Sequence, residues 1–162
     1  MLVLEGRPIQ PGEGHNAGRQ LLAQMFTAAT GQPMPAIVTG SRGKPDFVRG
    51  GLHFSITHTE RHVFCALSDR PIGIDAEETD RKIALGLADK ILSAFERAQY
   101  DDAADQRLAL LKFWVLKEAR GKFLGTGLNG YPNHTRFSLQ DPRIIEKDGC
   151  FVAVIQEEDY AV

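Results

Sequence analysis

The sequence predicts an α+β fold whose strands pair mainly antiparallel, and three observations support this class. The chain has 162 residues, 43% hydrophobic and 25% charged, which suits one globular domain or two small halves packed on one core. Strand-like and helix-like segments follow one another without regular alternation, which favours α+β over a doubly wound parallel sheet. Two strand candidates, residues 52–57 and 62–68, flank a short connection and therefore predict a hairpin.

The first predicted element is an amphipathic helix over residues 13–29, which the turn residues TGQP end. Its apolar residues recur at helical spacing: Ala17, Leu21, Leu22, Met25 and Ala28. Residues 36–39 predict a short strand, and residues 41–47 (SRGKPDF) predict a loop because of their turn residues. After the hairpin, residues 71–77 (PIGIDAE) predict a third strand.

The second part of the chain predicts more helices and a strand-rich tail. Residues 81–92 are predicted to be helical, and Ser93 with Glu96 forms a capping box that begins another short helix. The longest predicted helix covers residues 105–125. We expect strands near residues 135–140, 143–147 and 150–156.

Composition argues against several classes of protein. A formal net charge of −2 provides no overall basic field for DNA or RNA. Cys65 and Cys150 lie far apart in apolar segments without metal-ligand spacing, so we expect buried free thiols in a reducing compartment. The N-terminal residues lack the pattern of a secretory signal, and no apolar run approaches the ~20 residues of a membrane span. These features predict a cytoplasmic protein.

The third strand carries the first candidate site. Asp75 and Glu77 are two residues apart, so on a strand their side chains share one face, with Ala76 on the other. Adjacent carboxylates repel unless a cation or water separates them, and Mg²⁺ takes oxygen ligands that it shares with substrate phosphates. The simpler alternative is a strand that runs out into a solvated acidic turn, since Glu78 and Asp80 follow.

The long helix carries the second candidate site. Glu118 and Lys122 lie about 40° apart around the helix axis, in the order that also suits an exposed ion pair on a helix surface. Leu111 and Val115 share this sector, however, and the helix is apolar nearly all round. Such a helix is buried, and buried charged groups are paired or bound to a ligand.

Two upstream residues are weaker candidates by themselves. His58 stands at a strand end, where a turn or surface role is the simpler interpretation, and Lys44 lies in a GKP loop. Together they offer two cationic contacts for a phosphate. The combined order is more specific: a GKP loop, then FSITHT, then GIDAEE, then FWVLKEARGKFLGTGL.

This order resembles the larger type of 4′-phosphopantetheinyl transferase, over residues 43–128. FSITHT resembles the family's F-N-(I/L)-S-H-S, and GIDAEE resembles G-(I/V)-D-(I/V)-E, with Ala76 in place of a larger apolar residue. The long helix is similar to W-x-x-K-E-(A/S)-x-x-K-x-x-G-x-G-L. The matching residues are Trp114, Lys117, Glu118, Ala119, Lys122, Gly125, Gly127 and Leu128.

The resemblance implies an activity and a metal. The family transfers 4′-phosphopantetheine from coenzyme A to a serine of a carrier protein and releases adenosine 3′,5′-bisphosphate. By matching positions, Asp75, Glu77 and Glu118 are expected to hold Mg²⁺ against the pyrophosphate. Glu118 is also the candidate base for the carrier serine. Lys122 is expected to stabilise or protonate the departing phosphate.

The resemblance also implies a set of contacts to coenzyme A. His58, with Thr57 beside it, is expected to contact a phosphate oxygen. Arg42, Lys44 and Pro45 of the GKP loop are expected to grip the nucleotide side of the molecule. Lys117, about 100° from Glu118 around the helix, is expected to give a supporting contact. Because few residues precede the GKP loop, Arg19 is the candidate for the contact to the 3′-phosphate.

The implied fold is a monomer of two pseudo-twofold-related halves, approximately residues 1–70 and 71–162, with coenzyme A in the cleft between them. Each half is expected to pack antiparallel strands on a long helix. Two other functions remain open at this point. One is a magnesium-dependent hydrolase of coenzyme A-like pyrophosphates, and the other is a non-catalytic coenzyme A-binding module. Which acyl or peptidyl carrier protein the chain serves is not encoded in these motifs.

Overall fold

The computed structural model describes residues 1–49, 51–129 and 132–156. Over these ranges the strands are β1 (Leu2–Pro8), β2 (Ile37–Thr39), β3 (Pro45–Phe47), β4 (His53–His58), β5 (His62–Ser68), β6 (Gly73–Glu78), β7 (Ile144–Lys147) and β8 (Cys150–Ile155). The α-helices are α1 (Gly14–Thr30), α2 (Ala88–Ile91), α3 (Ala94–Asp102) and α4 (Gln106–Leu124). Short 3₁₀ helices cover Leu85–Leu87, Gly127–Asn129 and Pro132–His134.

The first sheet has the strand order β1-β5-β4 and is antiparallel throughout. The predicted β4–β5 hairpin is confirmed, with Thr57 opposite Phe64. The central strand β5 is almost wholly buried, and α1 packs across it through Leu22 and Met25. Strand β1 was not predicted, and its side chains are exposed or only half-buried, as expected for an edge strand. The predicted loop 41–47 also contains β3, which pairs with β2.

The second sheet has the order β6-β8-β7 and is also antiparallel. The predicted tail strands β7 and β8 are confirmed as a hairpin. Asp148 and Gly149 form its turn with φ of 52° and 74°, the two positive values that a type I′ turn requires. The antiparallel sheets and the helices that pack on them confirm the predicted α+β class.

The expected strand near residues 135–140 is wrong, because side chains from α3 take its backbone hydrogen bonds. Phe137 N–H donates to Glu96 Oε1 at 3.0 Å, and Leu139 N–H donates to Gln99 Oε1 at 3.1 Å. The expected helix over 81–92 is shorter than predicted, since regular helix starts only at Leu85.

Helix α3 begins, and helix α4 begins and ends, close to the predicted residues. Ser93 and Glu96 form the predicted capping box of α3. Asp105 caps α4 through Leu108 N–H, and Gly125 ends it in the left-handed conformation at φ 71°. Most of α4 is buried against β6 and β8, as its apolar circumference predicts.

The two sheets meet where β4 runs beside β6. Ser55 Oγ accepts a hydrogen bond from Ile74 N–H at 3.0 Å, and an apolar cluster that includes Phe64, Ile74 and Val152 fills the space between the sheets. Cys65 and Cys150 are buried and free, as predicted. In the described part of the chain, no helix has both the length and the apolar character needed to cross a membrane.

Candidate active site

Close contact between α4 and β6 brings the predicted carboxylates together. A Cβ atom on Gly73 would lie 2.2 Å from the carbonyl oxygen of Ala119, so only glycine allows this approach. Asp75 and Glu77 follow on β6, and Glu118 stands next to Ala119 on the helix. The structure thus places all three candidate metal ligands at one junction of strand and helix.

Asp75 is held by one of its two carboxylate oxygens. Oδ1 accepts hydrogen bonds from Thr57 Oγ1 at 3.1 Å and from Lys122 Nζ at 2.8 Å. Oδ2 is buried and has no hydrogen-bond partner among the described residues. Burial raises the pKa of this carboxyl, although Lys122 opposes the shift. A buried oxygen without a donor is costly, and a bound cation is one means of satisfying it.

Glu77 shows the same division between its two oxygens. Oε1 accepts hydrogen bonds from Trp114 Nε1 at 3.1 Å and from the Arg81 guanidinium, while no described residue donates to Oε2. Burial, followed by the negative charge of Asp75, raises the pKa of Glu77 to about 7. The cluster therefore carries an unfavourable concentration of negative charge when no cation is bound.

Glu118 completes the cluster from α4. Burial raises the pKa of its carboxyl, and the nearby Asp75 carboxylate contributes to the shift. Lys122, one turn later, forms its ion pair with Asp75 rather than with Glu118 in the described structure. The exposed helix pair considered from the sequence is therefore not what these two residues form.

A cleft of about 370 Å³ opens beside the carboxylates. It is bordered by α1 and β4 on one side and by the end of α4 on the other. Six predicted site residues line it: Arg19, Arg42, Lys44, Pro45, His58 and Lys122. His15, Phe54 and Ser55 also line it. Phe54 and Ser55 belong to the FSITHT motif, but none of these three residues was predicted to be a site residue. The imidazole of His58 rests against Gly14, where a Cβ atom would lie 2.4 Å from the ring.

The GKP loop reaches across to the end of α4. Lys44 Nζ donates to the carbonyls of Ile72 at 3.2 Å and Phe123 at 3.1 Å, and Arg42 Nη1 donates to Leu124 O at 3.5 Å. Two of these three acceptors are carbonyls in the last turn of α4, where cations are favourable. Burial lowers the pKa of Lys44. The loop thus fixes one wall of the cleft as well as supplying charge to it.

Glycines let the chain fold back along α4 after the helix ends. A Cβ atom on Gly121 would lie 2.5 Å from the carbonyl oxygen of Gly127. Gly125 and Gly127 both have positive φ, 71° and 57°. Gly121, which the family pattern does not require, therefore permits close packing of the returning chain at the edge of the cleft.

Lys117 is the one predicted site residue on the helix that lies elsewhere. Its ammonium is buried, forms an ion pair with Glu96 Oε2 at 2.6 Å, and donates to Thr135 Oγ1 and to the carbonyl of Pro132. These partners lie on α3 and on residues 132–135, which pack on the face of α4 that carries Lys117. The structure does not bring Lys117 to the cleft.

A second group of side chains of metal-binding types lies at the far end of β6. Glu78 Oε1 accepts from Thr59 Oγ1 at 2.5 Å and from Arg61 N–H at 3.2 Å, and lies 3.3 Å from His62 Nδ1. The Cys150 thiol lies 3.8 Å from the same imidazole nitrogen, and burial raises its pKa to about 12. Glu78 is satisfied by these donors, and the arrangement ties the β4–β5 turn to the second sheet.

Comparisons with known proteins agree with the geometry. A family model described as the 4′-phosphopantetheinyl transferase superfamily matches residues 71–159. The 4′-phosphopantetheinyl transferase Sfp of Bacillus subtilis (strain 168) is 37% identical over 79 residues, 48% of this chain and 35% of that protein. The 4′-phosphopantetheinyl transferase psf-1 of Bacillus pumilus is 33% identical over 120 residues, 68% of this chain and 48% of that protein.

A third relative is the 4′-phosphopantetheinyl transferase AcpT of Escherichia coli (strain K12). It is 31% identical over 128 residues, 72% of this chain and 66% of that protein. The chain spans about one third to one half of the length of the Bacillus relatives that it matches. Since the family model covers more than half of the chain, the chain belongs to the 4′-phosphopantetheinyl transferase superfamily.

Proposed function

We propose that this chain transfers the 4′-phosphopantetheine group of coenzyme A to a serine hydroxyl of an acyl or peptidyl carrier protein, with Mg²⁺ as its cofactor. The second product is adenosine 3′,5′-bisphosphate. The observation that carries this proposal is the carboxylate cluster, in which Asp75 Oδ2 is buried without a hydrogen-bond partner among the described residues, beside a cleft lined by basic residues. The names of the relatives support the same activity.

The donor set fits Mg²⁺ in its chemistry. Asp75, Glu77 and Glu118 offer only oxygen ligands, which this hard cation prefers, and Asp75 Oδ2 is a buried oxygen that needs a positive partner. When bound, Mg²⁺ would neutralise charge on the pyrophosphate and on the developing leaving group. Three protein ligands at most would leave room for phosphate oxygens and water.

The cleft supplies the contacts expected for coenzyme A. Its volume lies within the ~300–1,000 Å³ of small-molecule sites. His58 and Lys122 border it, and Lys122 connects it to the carboxylates through its ion pair with Asp75. Arg19 and Arg42 add positive charge to its lining for the nucleotide phosphates. Pro45 lines the same wall. Thr57 serves the site through its hydrogen bond to Asp75 rather than as a cleft-lining residue.

The reaction can be assigned to residues of the chain. The carrier serine oxygen attacks the phosphorus that bears pantetheine, forming a new P–O bond as the bond to the bridging pyrophosphate oxygen breaks. Glu118 accepts the serine proton. Lys122, which borders the cleft, donates a hydrogen bond or proton to the departing phosphate.

The arrangement of the two sheets supports a two-half architecture, approximately residues 1–70 and 71–162. In each sheet the last strand along the chain lies in the middle, between the first strand and its hairpin partner. Each sheet also packs on one long helix, α1 or α4. The shared order supports a pseudo-twofold relation between the halves, with coenzyme A in the cleft between them.

The test is modification of a carrier protein. The purified chain, coenzyme A and Mg²⁺ are incubated with apo-carrier proteins from fatty acid, polyketide and peptide synthesis, and each carrier is weighed by intact mass spectrometry. We expect one phosphopantetheinyl adduct on serine with at least one carrier. The Asp75→Ala variant should lose transfer and keep its near-UV circular dichroism. Normal transfer by this variant would refute the metal site.

Two other outcomes separate the competing functions. Free phosphopantetheine without a protein adduct on any carrier would identify a hydrolase and overturn the transfer. Coenzyme A binding that is indifferent to Mg²⁺, without turnover, would identify a non-catalytic binding module.

A further inference from the structure

Glu77 sits in an arrangement of three side chains that contact one another. Trp114 Nε1 and the Arg81 guanidinium both donate to the same atom, Glu77 Oε1. The guanidinium carbon of Arg81 also lies 6.0 Å from the centre of the Trp114 ring, in a cation–π contact. Neither donor forms a hydrogen bond with Oε2 of the carboxylate among the described contacts.

The described hydrogen bonds of Asp75 also go to one carboxylate oxygen only. The arrangement at Glu77 is therefore not an isolated surface contact. At Asp75, Thr57 and Lys122 both donate to Oδ1, and Oδ2 is left buried without a partner. Each β6 carboxylate is thus anchored through one oxygen by two donors from other elements. The remaining oxygen of each is available to a ligand.

We propose that Arg81 and Trp114 are positioning residues, which hold Glu77 through Oε1 so that Oε2 is presented to the divalent cation. This inference rests on the proposed metal site. A long glutamate side chain loses rotamer entropy when it is immobilised, and the two donors offset that loss before the cation binds. Partners of this kind fix the orientation of metal ligands in many sites.

The competing hypothesis assigns Arg81 the opposite role, in which its guanidinium competes with the cation for the Glu77 carboxylate. In that case removing the guanidinium contact would strengthen metal binding. Deleting the positive charge would itself favour a cation, so a neutral replacement of Arg81 would confuse the two effects. Variants that conserve charge separate them: Arg81→Lys keeps the charge but loses the planar stacked donor, and Trp114→Phe removes the indole N–H.

The probe is Mn²⁺, whose free concentration is measured by electron paramagnetic resonance with the full chain in the absence of coenzyme A. We expect Arg81→Lys and Trp114→Phe each to raise the Mn²⁺ dissociation constant by about 10-fold, the lower range for loss of such a partner. The double variant should be weakened by clearly less than the product of the two single effects, because both donors act on one oxygen.

Arg97→Lys is the matched control. Arg97 also pairs with a carboxylate, Asp101, at 2.9 Å and stacks over an aromatic ring, Tyr100, at 5.5 Å, but it lies on α3 outside the site. The Mn²⁺ dissociation constant of the Arg97→Lys variant should equal that of the wild type. Because Arg81 is an exposed side chain, its lysine variant tests the proposal even if Trp114→Phe folds poorly.

Asp75→Asn separates failure of this inference from failure of the metal site. If Asp75→Asn abolishes Mn²⁺ binding while Arg81→Lys and Trp114→Phe bind as tightly as the wild type or more tightly, the positioning role is overturned and the site stands. If Asp75→Asn itself binds Mn²⁺ normally, the proposed metal site is overturned. Parallel urea unfolding in EDTA verifies that each variant is folded.

Discussion

Replacing Lys117 by methionine should destabilise the fold strongly, although the family pattern places this lysine beside Glu118, the proposed base. The exposed fractions of the Lys117 and Glu96 side chains are 1% and 0%, and their charged atoms lie 2.6 Å apart. Methionine keeps much of the length and apolar volume of lysine and removes only the ammonium. The variant therefore leaves Glu96 as a buried carboxylate without its cation.

The magnitude follows from what remains around Glu96. It still accepts hydrogen bonds from Thr135 Oγ1, Phe137 N–H and Ser93 N–H, so the carboxylate is not left entirely without donors. Breaking a buried ion pair on one side costs about 3–5 kcal/mol. For a protein of this size each kcal/mol lowers Tm by about 2–4 °C, so we expect a fall of about 6–20 °C.

Urea unfolding followed by far-UV circular dichroism measures the change in the free energy of unfolding. Glu96→Gln should also destabilise, and the double variant Lys117→Met/Glu96→Gln should recover part of the loss because no buried charge is left unpaired. Lys112→Met is the matched control on the same helix, since Lys112 is half-buried over the Phe151 ring and has no carboxylate partner in the described ion pairs. It should change stability by less than about 1 kcal/mol.

Coenzyme A affinity provides the decisive second readout. The folded fraction of Lys117→Met should bind coenzyme A as the wild type does, because Lys117 lies away from the cleft. A variant with unchanged stability and weakened coenzyme A binding would refute this reasoning. Lys117 would then be the ligand contact that the family resemblance implies.

Two further predictions concern Gly121 and Glu77. Gly121→Ala should lower the urea midpoint despite a helix-propensity gain of ~1 kcal/mol, because its Cβ would meet the Gly127 carbonyl at 2.5 Å; a raised midpoint would contradict this packing. Because the pKa of Glu77 rises from 4.5 to about 7 on folding, the protonated form is favoured and stability from this group falls as pH increases between those values. Glu77→Gln should flatten that fall in EDTA, as measured by urea unfolding across this pH window; an unchanged slope would exclude this carboxyl as its source.

Local periodicity was sufficient to predict one part of the carboxylate cluster. Side chains two residues apart on a strand point to the same face, so placing Asp75 beside Glu77 required no knowledge of tertiary structure. The addition of Glu118 to this pair came from the family resemblance. The partners that hold these carboxylates were not predicted. In the sequence Trp114 is only one of the residues that match the family pattern, and its N–H reaches Glu77 because α4 lies across β6. Arg81 belongs to none of the quoted motifs, and only its place four residues after Glu77 relates it to the site in the sequence.

Backbone partners from distant segments explain the errors in the fold. Residues 136–140 alternate polar and apolar side chains as a strand does, yet the N–H groups of Phe137 and Leu139 donate to Glu96 and Gln99 of α3. A pattern of side chains indicates which face is buried but not which acceptor a backbone group will find. Lys117 illustrates the same limit at the site, because its place in the motif is correct while its partner, Glu96, comes from another helix.

The precision of the site depends on regular elements, and its adaptability on loops. Asp75 and Glu77 belong to a strand and Glu118 to a buried helix, and Gly73 allows that helix to approach the strand at backbone contact distance. The cation of the proposed site would thus be held by groups on regular elements. The GKP loop and the glycine turn after α4 line the cleft, and Lys44 of that loop donates to Phe123 O in the last turn of α4. Because Lys44 also donates to Ile72 O at the entry to β6, the loop that we propose to bind coenzyme A is anchored to the same two elements that carry the carboxylates.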